Sequence, residues 1–226
     1  MSLTSHIRNA NQSPIGQFLR QRFPHTAIIT KETNAKLRAS KALLPPIHPW
    51  PYDKIGSARE GVDGRAKNGP LFMPEPKQSF EELLALVEEG WIDDLCQLTA
   101  LFHDTCQHLL LQPFNLNPTF AGSGDVGGAD ADLIVDGCLI EIKTSKQMQI
   151  DADWLRQLVG YVLLDYNDEY HINSVALYMV RQGVLFTWPL ADFLSLLTAS
   201  DAITLPLLRQ EFSDLCKNRR TGMRRQ

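Results

Sequence analysis

The feature that most restricts the fold of this chain is a pair of alternating apolar runs joined by Asp136-Gly137. The runs cover residues 129–135 and 138–144. An Asp-Gly pair between two such runs is the strongest short-range signal for a β-hairpin with a two-residue turn. The turn also sets which residues face each other across the hairpin. The facing pairs are Val135 and Cys138, Leu133 and Ile140, Asp132 and Glu141, and Asp130 and Lys143.

The predicted hairpin has one apolar face and one charged face, because successive side chains of a strand point to opposite sides. We expect the apolar face to be core. Its members are Ala131, Leu133, Val135, Cys138, Ile140 and Ile142. The members of the charged face are Asp130, Asp132, Glu141 and Lys143. An ordinary surface hairpin with a solvated charged face is the alternative interpretation.

Two carboxylates on the charged face would lie directly opposite each other. Opposed Cβ atoms in a sheet are about 4.5–5.5 Å apart, so Asp132 and Glu141 would repel unless a cation or a proton lay between them. Mg²⁺ prefers oxygen ligands and keeps several of its waters, so one or two protein carboxylates suffice. Lys143 would lie beside the ion and could orient a water or stabilise charge on a phosphate. The cluster therefore favours metal-assisted hydrolysis of a phosphodiester.

Two motifs in this part of the chain resemble those of a known superfamily. Asp132 followed by Glu-Ile-Lys at 141–143 resembles the PD-(D/E)xK nuclease signature. Gln157 and Tyr161 resemble the QxxxY motif of its RecB-like and Cas-associated exonuclease branch. These two residues are four apart, so they lie on one side of a helix, which Asp151 or Asp153 would cap.

This resemblance implies an α/β fold: a mixed β-sheet with an αβββαβ restriction-endonuclease-like core, flanked by helices. It also implies a metal-dependent nuclease that hydrolyses DNA in prokaryotic repair, recombination or phage defence. The implied catalytic residues are Asp132, Glu141, Lys143, Gln157 and Tyr161. Asp132 and Glu141 would bind Mg²⁺ or Mn²⁺, with Glu60 or Asp130 as a further ligand. The alternatives are a non-catalytic nucleic-acid-binding module of the same fold, and a nuclease subunit active only within a larger assembly.

The chain divides near a segment with four prolines between positions 45 and 51, which cannot form regular structure. We expect residues 1–52 to be a helical N-terminal extension with this Pro-rich connector, and residues 53–226 to be the nuclease-like domain. Ser13-Pro14 predicts a helix start. Residues 26–30 are predicted to be extended, and residues 33–44 to be a basic helix. Further helices are predicted at 53–67, which carries Glu60 and Asp63, and at 79–89, 91–111, 189–199 and 205–217.

The distribution of charge favours DNA as a partner. The net charge of the chain is −4, yet residues 1–70 carry eleven Lys or Arg against four Asp or Glu. Clustered positive charge is the expected footprint of contact with a phosphate backbone, although a solvated basic tail is the ordinary alternative. The acidic remainder is compatible with protein partners, and an oligomer is possible.

Other composition features limit the cofactors and the location. The four cysteines include no Cys-x-x-Cys pair, so no iron–sulfur cluster is expected. The glycines at 122, 124 and 127 match a dinucleotide-binding fingerprint, but the required strand and helix are not predicted around them. No apolar run approaches the length needed to cross a bilayer. We therefore expect a cytoplasmic protein that does not contact membranes.

Overall fold

Seven α-helices and one sheet are found in the part of the chain that the structure, a computed structural model, describes: residues 2–40, 89–198 and 204–223. The helices are α1 (Leu3–Arg8), α2 (Pro14–Arg22), α3 (Thr26–Ala39), α4 (Glu89–Cys106), α5 (Ala152–Leu164), α6 (Leu190–Leu197) and α7 (Leu205–Met223). The strands are β1 (Phe114–Leu116), β2 (Leu133–Val135), β3 (Cys138–Lys143), β4 (Ser174–Met179) and β5 (Val184–Pro189).

The five strands lie side by side in chain order. β1, β2 and β3 pair antiparallel, β3 and β4 pair parallel, and β4 and β5 pair antiparallel. The parallel pair requires a crossover, which α5 provides. The structure is therefore an α/β fold with a mixed five-stranded sheet flanked by helices. In chain order, α4 precedes β1, and α5 lies between β3 and β4.

The predicted hairpin is present in the predicted register. Val135 pairs with Cys138 and Leu133 with Ile140. Asp136 and Gly137 have φ angles of 45° and 75°, as a two-residue turn of the favoured primed type requires. Neither the predicted pairing of Asp132 with Glu141 nor that of Asp130 with Lys143 occurs in the β2–β3 ladder, because β2 begins only at Leu133. Asp130 instead forms an isolated bridge with Thr119.

Both faces of the hairpin are core, because helices cover both sides of the sheet. The larger hydrophobic cluster lies on the side of Ile134 and Leu139 and includes the apolar face of α5. The predicted apolar face, with Leu133 and Ile140, belongs to a smaller cluster that packs against Phe102 of α4. Ala131, predicted on that same face, lies in the larger cluster, since the chain is not regular strand before Leu133. The charged side chains of the hairpin therefore lie at one end of the larger hydrophobic cluster, which is the main core.

The N-terminal helices share this main core. Ser13 caps α2 as predicted, by accepting a hydrogen bond from the backbone N–H of Gly16. The prediction of an extended run at 26–30 is wrong, since these residues open α3. Within α3 the hydroxyls of Thr30 and Thr33 donate to backbone carbonyls one turn earlier, at 2.7 and 2.8 Å. That local bonding removes the cost of burying them.

Other boundaries differ by one or two turns. α4 ends at Cys106 rather than at residue 111, and α7 continues to Met223 rather than ending at residue 217. The helix predicted at 53–67, with Glu60 and Asp63, lies outside the described residues, and so does the helix predicted at 79–89 except for Glu89, which begins α4. No helix in the described ranges is both long enough and apolar enough to span a bilayer.

Candidate active site

The end of β3 and the first turns of α5 bring most of the predicted site residues together. Glu141 and Lys143 are two apart on β3, so they project to the same side of the sheet. Gln157 and Tyr161 project from α5 towards them. Asp151 caps α5 by accepting a hydrogen bond from the backbone N–H of Asp153 at 2.9 Å, which confirms the predicted helix start.

A continuous chain of polar contacts joins these four side chains. Lys143 Nζ donates to Glu141 Oε1 at 2.5 Å and to Gln157 Oε1 at 3.0 Å. Gln157 Nε2 donates to Tyr161 Oη at 2.6 Å. Glu141, Gln157 and Tyr161 are buried, and the Lys143 side chain is 18% exposed. Burial lowers the local dielectric and strengthens these contacts relative to contacts in water.

Asp132 reaches the same region from the other strand. Its Oδ2 accepts a hydrogen bond from the backbone N–H of Ile142 at 2.6 Å, which holds the carboxylate beside β3. Asp132 and Asp130 both act electrostatically on Glu141. Asp130 is exposed and lies in the irregular segment before β2, so it is at the rim of the site.

The environment of Glu141 disfavours its ionised form. Burial, partly offset by the neighbouring Lys143 ammonium and reinforced by Asp132, raises the pKa of Glu141 to about 7. Glu141 Oε2 is buried and has no hydrogen-bond partner within the described part of the chain. A buried acceptor without a partner is costly. Glu141 therefore favours a proton or a cation at this position.

We expect the free energy of unfolding of the metal-free protein to fall as rising pH ionises Glu141. The pKa of Glu141 is higher in the folded protein than the ordinary value of 4.5. The protonated Glu141 carboxyl therefore contributes to the stability of the folded protein at low pH. That advantage is lost between about pH 4.5 and pH 7, at a cost of about 3 kcal/mol. Glu141→Gln should lack this loss. Urea unfolding in EDTA at a series of pH values between 5 and 8 measures the difference.

Asp153→Asn is the matched control, because Asp153 is a partly exposed acid whose carboxylate pairs with Arg156 at 2.7 Å. Because this variant retains Glu141, its stability should still fall between about pH 4.5 and pH 7. Parallel profiles for wild type and Glu141→Gln would show that Glu141 ionises normally in the folded protein.

The described residues contain no preformed group of three His, Cys, Asp or Glu side chains that could hold a metal ion. Two carboxylates, those of Asp132 and Glu141, are nevertheless close, and the partnerless Glu141 Oε2 supplies an oxygen ligand. A hard divalent ion that keeps most of its waters fits such a donor set. Asp130 is a rim residue, and Glu60 lies outside the described ranges.

The structure adds three residues that the sequence motifs did not indicate. A cavity of about 310 Å³ adjoins Lys143, and Thr4, Arg8 and Trp154 contribute to its walls. Gln157 Nε2 also donates to Thr4 Oγ1 at 3.4 Å. Lys143 Nζ lies 5.7 Å from the centroid of the Trp154 ring, which is within the range of a cation–π contact. The only sequence signal for Arg8 was the positive charge of the N-terminal third.

Gly160 is the point on α5 against which α1 packs. A Cβ at position 160 would lie 2.8 Å from Leu3 Cδ2. Leu3 and Ile7 of α1 are buried. Gly160 therefore allows α1 to lie close enough for Thr4 to reach Gln157.

The glycines at 122–127 likewise serve packing and turning. Residues Ser123–Val126 form a short 3₁₀ helix, which ends at Gly127 with a φ of 76°. Gly122 packs against Tyr166. The sequence does not favour a dinucleotide-binding site here, and the described residues show neither a strand directly before these glycines nor an α-helix directly after them.

No family model, curated protein or solved structure matches this chain. The functional argument therefore depends on the geometry of the residues described above.

Proposed function

We propose that this chain is a divalent-metal-dependent nuclease that hydrolyses DNA phosphodiester bonds. The observation that carries the proposal is the buried Glu141–Lys143–Gln157 contact with Asp132 beside it. A solvated surface hairpin has no need to bury a carboxylate and an ammonium. The element order α4, β1–β3, α5, β4 also agrees with the αβββαβ core that the motifs imply. It supports the restriction-endonuclease-like interpretation.

Lys143 is the residue placed to act on a phosphate. Two acceptors hold its ammonium at the cavity wall, so little conformational freedom is lost when substrate binds. Charge developing on a phosphate oxygen would be stabilised there. The same ammonium could instead orient the attacking water. In either role, Glu141 and Gln157 orient the Lys143 ammonium by accepting its hydrogen bonds.

Gln157 and Tyr161 are positioning residues in this proposal. Gln157 Oε1 accepts from Lys143 while its Nε2 donates to Tyr161 and Thr4, so the amide orientation is determined by its partners. Burial and the nearby Glu141 carboxylate raise the pKa of Tyr161 above its ordinary value. The phenol therefore stays protonated near neutral pH and does not act as a base.

Asp132 and Glu141 would hold the metal, Mg²⁺ or Mn²⁺, with Asp130 or Glu60 as a further ligand. When bound, a divalent ion supplies positive charge that polarises a phosphate and favours deprotonation of water. Glu141 Oε2, which is buried without a hydrogen-bond partner in the described part of the chain, would serve as one of the ligands. The repulsion between the Asp132 and Glu141 carboxylates would then be relieved.

The direct test is cleavage of linear, circular and single-stranded DNA by the purified chain in Mg²⁺ or Mn²⁺, with EDTA as the metal-free condition. We expect cleavage that EDTA abolishes. The preferred substrate would distinguish an exonuclease from an endonuclease. If the chain binds DNA but cleaves none of the three substrates, a non-catalytic binding module or a subunit of a larger assembly replaces the proposal.

A further inference from the structure

Two cavities adjoin on the side of the molecule where the N-terminal helices meet α5. The first, of about 310 Å³, lies beside Lys143. The second, of about 360 Å³, lies between α3 and residues 149–152. Asp151 contributes to the wall of both cavities. They are therefore neighbouring parts of one surface that starts at the candidate active site.

The first cavity combines the groups that recognise one nucleotide. Arg8 and Lys143 supply positive charge, and Trp154 supplies an aromatic ring. Proteins that bind single strands use basic grooves for the backbone and aromatic rings for the bases. The acids in this wall have other partners, since Asp151 caps α5 and Asp153 pairs with Arg156.

The second cavity carries positive charge from α3. Lys31 and Arg38 are seven residues apart, which is about two helical turns. Both residues line the cavity, and Asn34 lies between them. Asn34 fixes α3 against the cavity's other wall, because it donates to the carbonyl of Ile150 at 3.0 Å and accepts from its N–H at 2.7 Å. Lys36 is on the same helix but is not among the lining residues.

The size and depth of the site favour an unpaired strand. Each cavity is near the lower end of the roughly 300–1,000 Å³ typical of small-ligand sites. Lys143 and Glu141 are only 18% and 5% exposed at their side chains. A paired and stacked nucleotide must leave its duplex before it can enter such a site. A single strand has no such cost to overcome.

We propose that α1 and α3 form a binding track for single-stranded DNA that leads to Lys143. One nucleotide would place its base against Trp154 and its phosphate near Arg8, and two further phosphates of the strand would lie near Lys31 and Arg38, one beside each. The inference depends on the proposed nuclease function for the identity of the ligand, and it adds the substrate class.

Binding measured in EDTA tests the track without cleavage. The probe is a fluorescein-labelled oligonucleotide, alone or annealed as a blunt duplex, and the readout is anisotropy over a range of salt concentrations with the full-length chain. We expect about tenfold or more tighter binding to the single strand. Each lost phosphate contact should reduce the slope of log affinity against log salt by about 0.7. The reduction should be about 0.7 for Arg8→Ala and about 1.4 for Lys31→Ala/Arg38→Ala.

Lys36→Ala is the matched control and should leave both affinity and slope unchanged. Tryptophan fluorescence gives a second readout, because stacking of a base should quench it and Trp154→Phe should remove most of that quenching. Equal affinity for duplex and single strand would overturn the track. So would variants of Arg8, Lys31 and Arg38 that bind like Lys36→Ala.

The two proposals fail separately. Cleavage without preference for single strands would overturn the track and leave the nuclease function standing. Preferential single-strand binding that depends on Arg8 and α3, without any cleavage, would overturn the nuclease function and support the track.

Discussion

Replacing Lys143 by alanine is expected to reduce metal-dependent DNA cleavage by about 100- to 1,000-fold, the loss typical when one preorganised charge-stabilising group is removed. The ammonium lies 2.5 Å from Glu141 and 3.0 Å from Gln157, so its two acceptors hold it in a fixed position at the cavity wall. Single-turnover cleavage of the preferred substrate, with enzyme in excess, measures the chemical step. The affinity for uncleaved DNA should change much less than the rate.

Lys217→Ala is a matched control for this variant. Lys217 is exposed on α7 and lies 5.2 Å from the ring of Tyr166, much as Lys143 lies near Trp154. The control should cleave at the wild-type rate. Thermal unfolding of both variants distinguishes loss of chemistry from loss of structure. If Lys143→Ala cleaves as fast as Lys217→Ala, Lys143 has no part in the reaction.

The local part of the site could be predicted because short stretches determine it. The Asp136-Gly137 turn set the strand register, and strand alternation then placed Glu141 and Lys143 on one side. Helical spacing did the same for Gln157 and Tyr161. These relations depend on residues close in sequence, where backbone geometry alone gives the answer. The contact between the strand pair and the helix pair followed only from the resemblance.

The contribution of the N-terminal helices could not be predicted in the same way. Thr4 and Gln157 are 153 residues apart, and no local pattern relates them. The packing of α1 depends on Gly160, whose importance is visible only when Leu3 is seen against it. The charge of residues 1–70 indicated DNA contact, but it could not place Arg8 beside Lys143.

A second large effect is expected at a buried ion pair that is not among the predicted site residues. Asp94 of α4 accepts from both terminal nitrogens of Arg181, at 3.1 and 2.6 Å, and both residues are almost fully buried. Removing one partner of such a pair costs about 3–5 kcal/mol, because the other charge stays buried without that partner. We therefore expect Asp94→Ala to lower the free energy of unfolding by that amount, as measured by urea denaturation.

Asp94→Ala should also affect the candidate active site. Arg181 lies in the turn between β4 and β5, and the adjacent Gln182 donates to the backbone carbonyls of Ser145 and Gln147 at 3.3 and 3.5 Å. These carbonyls belong to the loop that directly follows Lys143. Loss of the ion pair should therefore loosen that loop and slow cleavage even at temperatures where Asp94→Ala remains folded.

Asp93→Ala is the matched control, since Asp93 is the exposed neighbour on the same helix, and it should unfold like wild type. Asp94→Leu/Arg181→Met should recover part of the lost stability, because replacing both partners leaves no buried charge. The recovery should not extend fully to cleavage if Gln182 depends on the ion pair for its position. Equal stability of Asp94→Ala and Asp93→Ala would show that the pair contributes nothing, and that the turn is held by packing alone.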